Sequence, residues 1–318
     1  MKLDKFVTAI VIVVALAYFF PQFGVDPNIP LGTISSIGIS LIFFFYGLKL
    51  SPEKIKVGLS NWKLHVLVQA TTFILFPLIL IAVKPLFVGE QGFLLWISFF
   101  FLAILPSTVS SSVVMVSMAK GNVPAAIFNA SISGLIGIAI TPLWMSFFLN
   151  SEGSDFDMSA IYLKLLLEIL LPICIGLALQ RWIGFLAIKY ANGLSLFDKS
   201  IILLIVYKSF CESFSTNVFS EMSMVQLMLI SIGVVVLFIV IYRLIWWISS
   251  IMGFSVEDQI TATFCGTKKS LVHGTVFSKV LLPASIPAGF VLLPLMLFHA
   301  WQILLISMIA SKLANRQN

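Results

Sequence analysis

Residues 261–274 read Thr261-Ala262-Thr263-Phe264-Cys265-Gly266-Thr267-Lys268-Lys269-Ser270-Leu271-Val272-His273-Gly274. Two adjacent lysines stand inside an apolar run from about residue 257 to 282, about ten residues from each end. At the centre of a spanning helix each lysine costs on the order of 2.5–3.5 kcal/mol, so the pair costs roughly 5–7. Ordinary packing does not require that. A lysine stem can snorkel toward an interface about a turn and a half away. Mid-span residues have farther to go, however, and adjacent helical positions point about 100° apart. Two readings remain open: the pair marks a span end, or it faces a water- or substrate-filled cavity beside a helix that Gly266 loosens.

The rest of the chain supplies the membrane. Of 318 residues, 60% are hydrophobic and 10% charged, and the mean hydropathy is +1.09; a soluble chain carries about a quarter charged residues. Apolar runs separated by Gly, Pro, Asn and charge clusters predict helices near 6–22, 31–50, 64–86, 93–119, 123–149, 160–180, 198–216, 224–250, 257–282 and 286–311. These ten spans leave no room for a sizeable soluble domain. β-Barrel spans would alternate polar and apolar residues, and stretches such as 10–17 or 234–241 do not. The first 22 residues resemble a signal peptide, but no small-x-small cleavage site follows Phe20, which predicts an uncleaved first helix.

A net charge of +6 and a pI near 9.2 do not point to nucleic acid, because the Lys and Arg residues are scattered singly over loops. They read better as an orientation signal for a partner bilayer. With the amino terminus inside, the cytoplasmic segments hold thirteen of the nineteen: Lys2, Lys5, Lys49, Lys54, Lys56, Lys63, Lys120, Arg181, Lys189, Lys199, Arg243, Lys312 and Arg316. Only Lys84, Lys164, Lys208 and Lys279 fall outside, with Glu90, Glu152, Asp155, Asp157 and Glu221. Both termini are therefore expected in the cytoplasm. Cys174, Cys211 and Cys265 are isolated in apolar runs and form neither a disulfide framework nor a CxxC metal site.

The fourth span carries a second irregularity, Leu105-Pro106-Ser107-Thr108-Val109-Ser110-Ser111-Ser112. Proline removes a backbone donor and its predecessor avoids the helical region, so a break near Leu105 is expected. Ser107 and Thr108 suit the start of a second half-helix, and the hydroxyls of Ser107, Thr108, Ser110, Ser111 and Ser112 offer partners that lipid lacks. A kinked helix whose serines bond back to its own carbonyls fits the same residues. Spans four and nine are five apart, so each holds the same place in its half. That spacing predicts two inverted five-helix repeats, residues 1–150 and 151–318, with a mid-membrane binding site at the paired interruptions. Half-helix amino ends beside Lys268 and Lys269 would favour an anionic or strongly polar group, and half-helix carbonyls could hold a cation.

At these residues the chain resembles the bile acid:sodium symporter superfamily, and within it the sodium/bile acid cotransporter 7 branch, over nearly its whole length. The likeness rests on Phe43-Phe44-Phe45-Tyr46-Gly47-Leu48-Lys49-Leu50, Leu105-Pro106-Ser107-Thr108-Val109, Met118-Ala119-Lys120-Gly121-Asn122-Val123 and, most specifically, Phe264-Cys265-Gly266-Thr267-Lys268-Lys269-Ser270-Leu271. The resemblance implies an all-α polytopic membrane protein of ten helices in two inverted repeats. It also implies a panel from spans 1, 2, 6 and 7, a core from spans 3–5 and 8–10, and broken helices 4 and 9 crossing in that core. Alternating access would move one against the other. Bile-acid-transporting members carry Glu, Gln and Asn as sodium ligands on the ninth helix, where this chain has Phe264, Lys268 and Lys269. Of their fourth-helix Ser-Asn pair, Ser112 matches and the Asn does not.

Hard cations need several oxygen ligands, and the strongest is gone. Ser112 and Thr267 are the positions left to take sodium. The expectation is that one ammonium fills the sodium space, leaving transport sodium-independent or coupled to H+ exchange on a lysine. No cofactor is expected. Replacing Lys268 or Lys269 by alanine is expected to abolish uptake with folding intact.

Asn129 and Ser133 of the fifth span, and His273 one turn after Lys269, complete the candidate site: Ser107, Thr108, Ser110, Ser111, Ser112, Asn129, Ser133, Gly266, Thr267, Lys268, Lys269, Ser270 and His273. Glu168 reads as a counter-ion or as a packed carboxyl, and Lys208 with Glu212 as a structural pair four apart. The leading function is secondary transport of an organic anion or amphipathic solute. A non-transporting regulator of calcium or envelope and glycan homeostasis on the same fold is the alternative. No nucleotide-binding or hydrolase signature is present, and an intramembrane hydrolase would need a nucleophile–base set or paired intramembrane aspartates. The compact chain suits a bacterial inner membrane.

Overall fold

A computed structural model of the chain describes residues 5–49, 61–108, 110–149, 163, 165–216, 223–283 and 285–315. The side chains of Lys5, Val7 and Ser110 lie outside that description, as do Val109 and the charges Lys2, Lys54, Lys56, Glu152, Asp155, Asp157, Lys164, Glu221 and Arg316. The described regular elements are helices, a single turn at Gln22–Val25 and twelve longer ones: α1 (Lys5–Phe19), α2 (Leu31–Lys49), α3 (Trp62–Leu86), α4 (Gly89–Ile104), α5 (Ser110–Met118), α6 (Val123–Leu149), α7 (Leu166–Lys189), α8 (Ala191–Ser215), α9 (Met224–Ile251), α10 (Val256–Thr267), α11 (Leu271–Leu281) and α12 (Ala288–Ala314).

Six of these, α2, α3, α6, α7, α9 and α12, are long and apolar enough to cross a membrane by themselves. Ten spans were expected, and the difference has physical causes. The fourth is divided into helices of 16 and 9 residues and the ninth into 12 and 11; α1 has 15 residues. The 25-residue α8 carries Asp198, Lys199, Lys208 and Glu212.

The chain divides into two compact units, each discontinuous in sequence. The first comprises Met1–Ser51, Ser146–Met222 and Thr275–Leu292. Its α2 and α7 meet backbone to backbone at Gly47 and Gly176, whose Cα atoms leave no space for a side chain: a Cβ on Gly47 would lie 3.0 Å from the Leu177 nitrogen and closer still to the Ile173 carbonyl. Small residues permit such approach in helices that hydrophobicity alone cannot hold together in lipid. Pro172 leaves the Glu168 carbonyl without its helical donor, and the hydroxyl of Ser40 donates to it at 3.3 Å. On α8, Ile202, Val206 and Phe210 are buried, and the Tyr207 hydroxyl donates to the Phe20 carbonyl at 2.7 Å.

The second unit comprises Pro52–Met145, Ser223–Gly274 and Leu293–Asn318. Here α3 widens over Thr71–Leu75, where the Phe76 N–H reaches back five residues to the Thr71 carbonyl. Such widened turns free backbone groups for other partners. Pro77 likewise cannot donate to Phe73, whose carbonyl instead accepts from Trp144 Nε1 at 2.8 Å. A polar clamp closes one end of the unit: the Asp258 carboxylate accepts from Asn61 Nδ2 at 2.7 Å and Asn122 Nδ2 at 2.8 Å. The Asn122 N–H meanwhile donates to Thr261 Oγ1 at 2.8 Å. This clamp accounts for the Gly121-Asn122 motif between α5 and α6.

Candidate functional site at two helix breaks

In α4 the helix stops at Ile104, Leu105 is extended (φ −73°, ψ 150°), and helix resumes at Ser110. Pro106 explains the stop. In the ninth expected span, α10 runs through Gly266 to Thr267, Lys268 is extended (φ −80°, ψ 146°), and α11 begins at Leu271. The break therefore falls after Gly266, which stays helical. What Gly266 provides is proximity, since a Cβ there would lie 2.9 Å from Ile245 Cδ1 and 3.6 Å from Thr71 Cβ.

The two breaks lie against each other. Ser107 Oγ donates to the Cys265 carbonyl at 2.6 Å, and the Ser270 N–H donates to the Pro106 carbonyl at 2.9 Å. Ser107, expected to open the second half-helix, thus bridges to α10 instead; Thr108 bonds the hydroxyls of Ser111 at 2.8 Å and Ser112 at 2.9 Å.

Lys268 and Lys269 are both 0% exposed and serve different partners. The Lys268 ammonium donates to the Ser111 carbonyl at 2.7 Å, in the first turn of α5. Lys269 Nζ donates to three carbonyls, Thr72 at 2.8 Å, Ala103 at 2.5 Å and Leu105 at 2.9 Å, and lies 4.1 Å from the centre of the Phe76 ring. Three carbonyls around Nζ match the three N–H donors that an ammonium carries. Charge-assisted bonds contribute about 1.5–3 kcal/mol each. Three of them offset the roughly 2.5–3.5 kcal/mol that a central lysine costs in lipid. The snorkelling reading is excluded for Lys269, whose ammonium is held by carbonyls from α3 and the end of α4.

The remaining candidates are placed as follows. Ser270 caps α11, accepting from the His273 N–H at 3.3 Å and bonding His273 Nδ1 at 2.9 Å. The Ser107 N–H donates to Ser133 Oγ at 3.0 Å. Asn129 lies one step out, accepting from Gln69 Nε2 at 3.2 Å and donating to the Ala125 carbonyl at 3.0 Å. Thr267 turns its hydroxyl back to the Thr263 carbonyl. Ser112 is buried and Ser111 half-buried; the side chain of Ser110 is outside the described residues.

Four participants escaped the sequence reading. Gln302 of α12 accepts from the Lys269 N–H at 2.9 Å and donates to the Lys269 carbonyl at 3.0 Å, pairing both backbone groups of the extended segment. Thr141 of α6 donates to the Ile104 carbonyl at 2.9 Å. Thr72 supplies a carbonyl, and Gln69 supports Asn129. The two glutamines had a signal, as isolated amides inside apolar runs; Thr72 and Thr141 had none beyond their neighbours.

Chemically, the arrangement joins two buried amines and the amino ends of two half-helices, and none of the residues named carries a carboxylate. Such groups can bind and orient a polar or anionic ligand. Buried charge at interrupted helices in a multi-pass integral membrane protein is the mark of a membrane transporter. The chain belongs to the SBF-like CPA transporter family, whose family model matches residues 4–315. It is 34% identical over 314 residues to the putative symporter YfeH of Escherichia coli, covering 98% of this chain and 92% of that protein. It is 37% identical over 315 residues to an uncharacterized Pseudomonas aeruginosa protein, covering 99% and 94%. Sodium/bile acid cotransporter 7 of Danio rerio is 30% identical over 309 residues, covering 95% and 91%. The resemblance read from the motifs is thus established at the level of family.

Proposed function

We propose that this transporter carries a small organic anion by alternating access and does so without sodium, because Lys269 permanently fills the place where a coupling cation would sit. The observation that carries the proposal is the ammonium among three carbonyls, at 2.8, 2.5 and 2.9 Å. Backbone carbonyls at half-helix ends are the groups that coordinate sodium in broken-helix transporters. A tethered amine there satisfies them without dissociating. Lys268, with a single carbonyl partner, is the amine that meets the anion, beside the amino ends of α5 and α11.

The proposed architecture is ten spans in two inverted repeats with both termini cytoplasmic. Its support is the matched service of the breaks: α6 supplies Ser133 and Thr141 to the break before it, and α12 supplies Gln302 to the break before it.

The test is uptake of radiolabelled organic anions, taurocholate among them, into proteoliposomes with sodium or N-methylglucamine outside. Equal uptake in both media is expected. Strict dependence on a sodium gradient would overturn the proposal, and a response to an imposed pH gradient alone would transfer the coupling role to Lys268.

A further inference from the structure

The first unit contains a cavity of about 450 Å³ built from residues that the helix breaks do not use. Its wall comes from α2, α8, the end of α11 and the turn into α12. Among the described residues three charges line it: Lys208 and Glu212 on α8, and Lys279 on α11. Hydroxyls such as Ser213 alternate there with apolar surface such as Ile205 and Pro287. A volume of a few hundred Å³ with a mainly apolar wall and a few fixed polar groups suits a small organic ligand.

The charge balance sets the ligand's sign. Two ammonium groups stand against one carboxylate, and the 27-residue α12 presents its amino end at Ala288 in the same wall, adding partial positive charge. Lys279 is fixed in position, donating to the Gly32 carbonyl at 2.8 Å and to Ser36 Oγ at 2.7 Å. The Lys208–Glu212 pair is different. Its side chains are 31% and 48% exposed, so neither group is enclosed in packed protein. An exposed i,i+4 pair of this kind is weak and easily exchanged.

We propose that this cavity is a second binding site, for a small organic carboxylate with a short apolar body, whose anionic group displaces Glu212 from Lys208. Glu212 occupies the cationic position until the ligand arrives. Lys279 and the amino end of α12 supply the remaining positive charge, and the apolar wall takes the ligand's body.

The experiment is a fluorescence titration of the intact protein in lipid nanodiscs with dansylglycine, using neutral dansylamide to report partition into lipid. Dansylglycine is expected to bind about tenfold more tightly than dansylamide, as a fixed cationic partner favours the charged ligand. Lys208→Gln should weaken dansylglycine about tenfold, Lys208→Arg should retain it, and Glu212→Gln should tighten it severalfold. A purely structural pair would make Lys208→Gln and Glu212→Gln act in the same direction, on melting temperature alone. That result, or equal binding of the two probes, overturns the proposal. Dansylglycine binding that Lys268→Gln abolishes and Lys208→Gln leaves intact would assign the probe to the helix breaks, with which this proposal shares only the ligand's charge, and would defeat the cavity.

Discussion

At the scale of single residues, Lys268 and Lys269 separate into two roles that their adjacency conceals. Lys269 holds three backbone carbonyls, and each buried acceptor left unsatisfied costs about 1–3 kcal/mol. Lys269→Ala is therefore expected to lower the melting temperature of the purified protein strongly. The same substitution opens a space ringed by carbonyl oxygens. Sodium chloride should then raise the variant's melting temperature relative to choline chloride, while wild type responds equally to both; a variant as stable as wild type in choline chloride would mean that the amine holds nothing. Lys268→Gln loses one carbonyl partner and should melt near the wild-type temperature while anion uptake disappears. Retained uptake in that variant would remove Lys268 from the pathway.

At the scale of elements, the interruptions differ in how far the sequence discloses them. Pro106 states its break chemically, since no residue before a proline sits easily in a helix, and the chain is extended at Leu105 as expected. The break in the ninth span has no proline. Gly266 drew the reading because glycine weakens helices, yet its role is close packing against Ile245, and the chain leaves the helix two residues later. What fixes the break there is tertiary: Gln302 pairs both backbone groups of Lys269, and Pro106 accepts from Ser270. Such partners come from distant helices and leave no local pattern. The Gly47–Gly176 contact is likewise invisible until α2 and α7 are brought together. Gly176→Val forces two backbones apart and, like other overpacked substitutions, should destabilise the protein by about 1–3 kcal/mol or more. Size-exclusion chromatography and thermal melting in detergent check this; a variant that melts with wild type would show that the helices can separate freely.

At the scale of the whole molecule, a chain of 318 residues with 60% hydrophobic content has little to act with except the groups it buries. The family supplies the function's class, and the proposed role of Lys269 is to stand in for a coupling sodium ion. A cation carried as part of the polypeptide returns with the protein on every cycle, whereas a free ion crosses with its cargo. Each monovalent anion moved therefore transfers one uncompensated negative charge. Against an interior-negative voltage of 100 mV that step costs about 2.3 kcal/mol. The resulting bias is roughly fiftyfold against accumulation and equally in favour of release to the exterior. A potassium diffusion potential set with valinomycin in proteoliposomes should accordingly drive anion flux, reversing its direction when the potential is reversed. On the proposed sodium-free reading the tethered ammonium makes the carrier electrogenic, and an energised membrane drives it as an exporter.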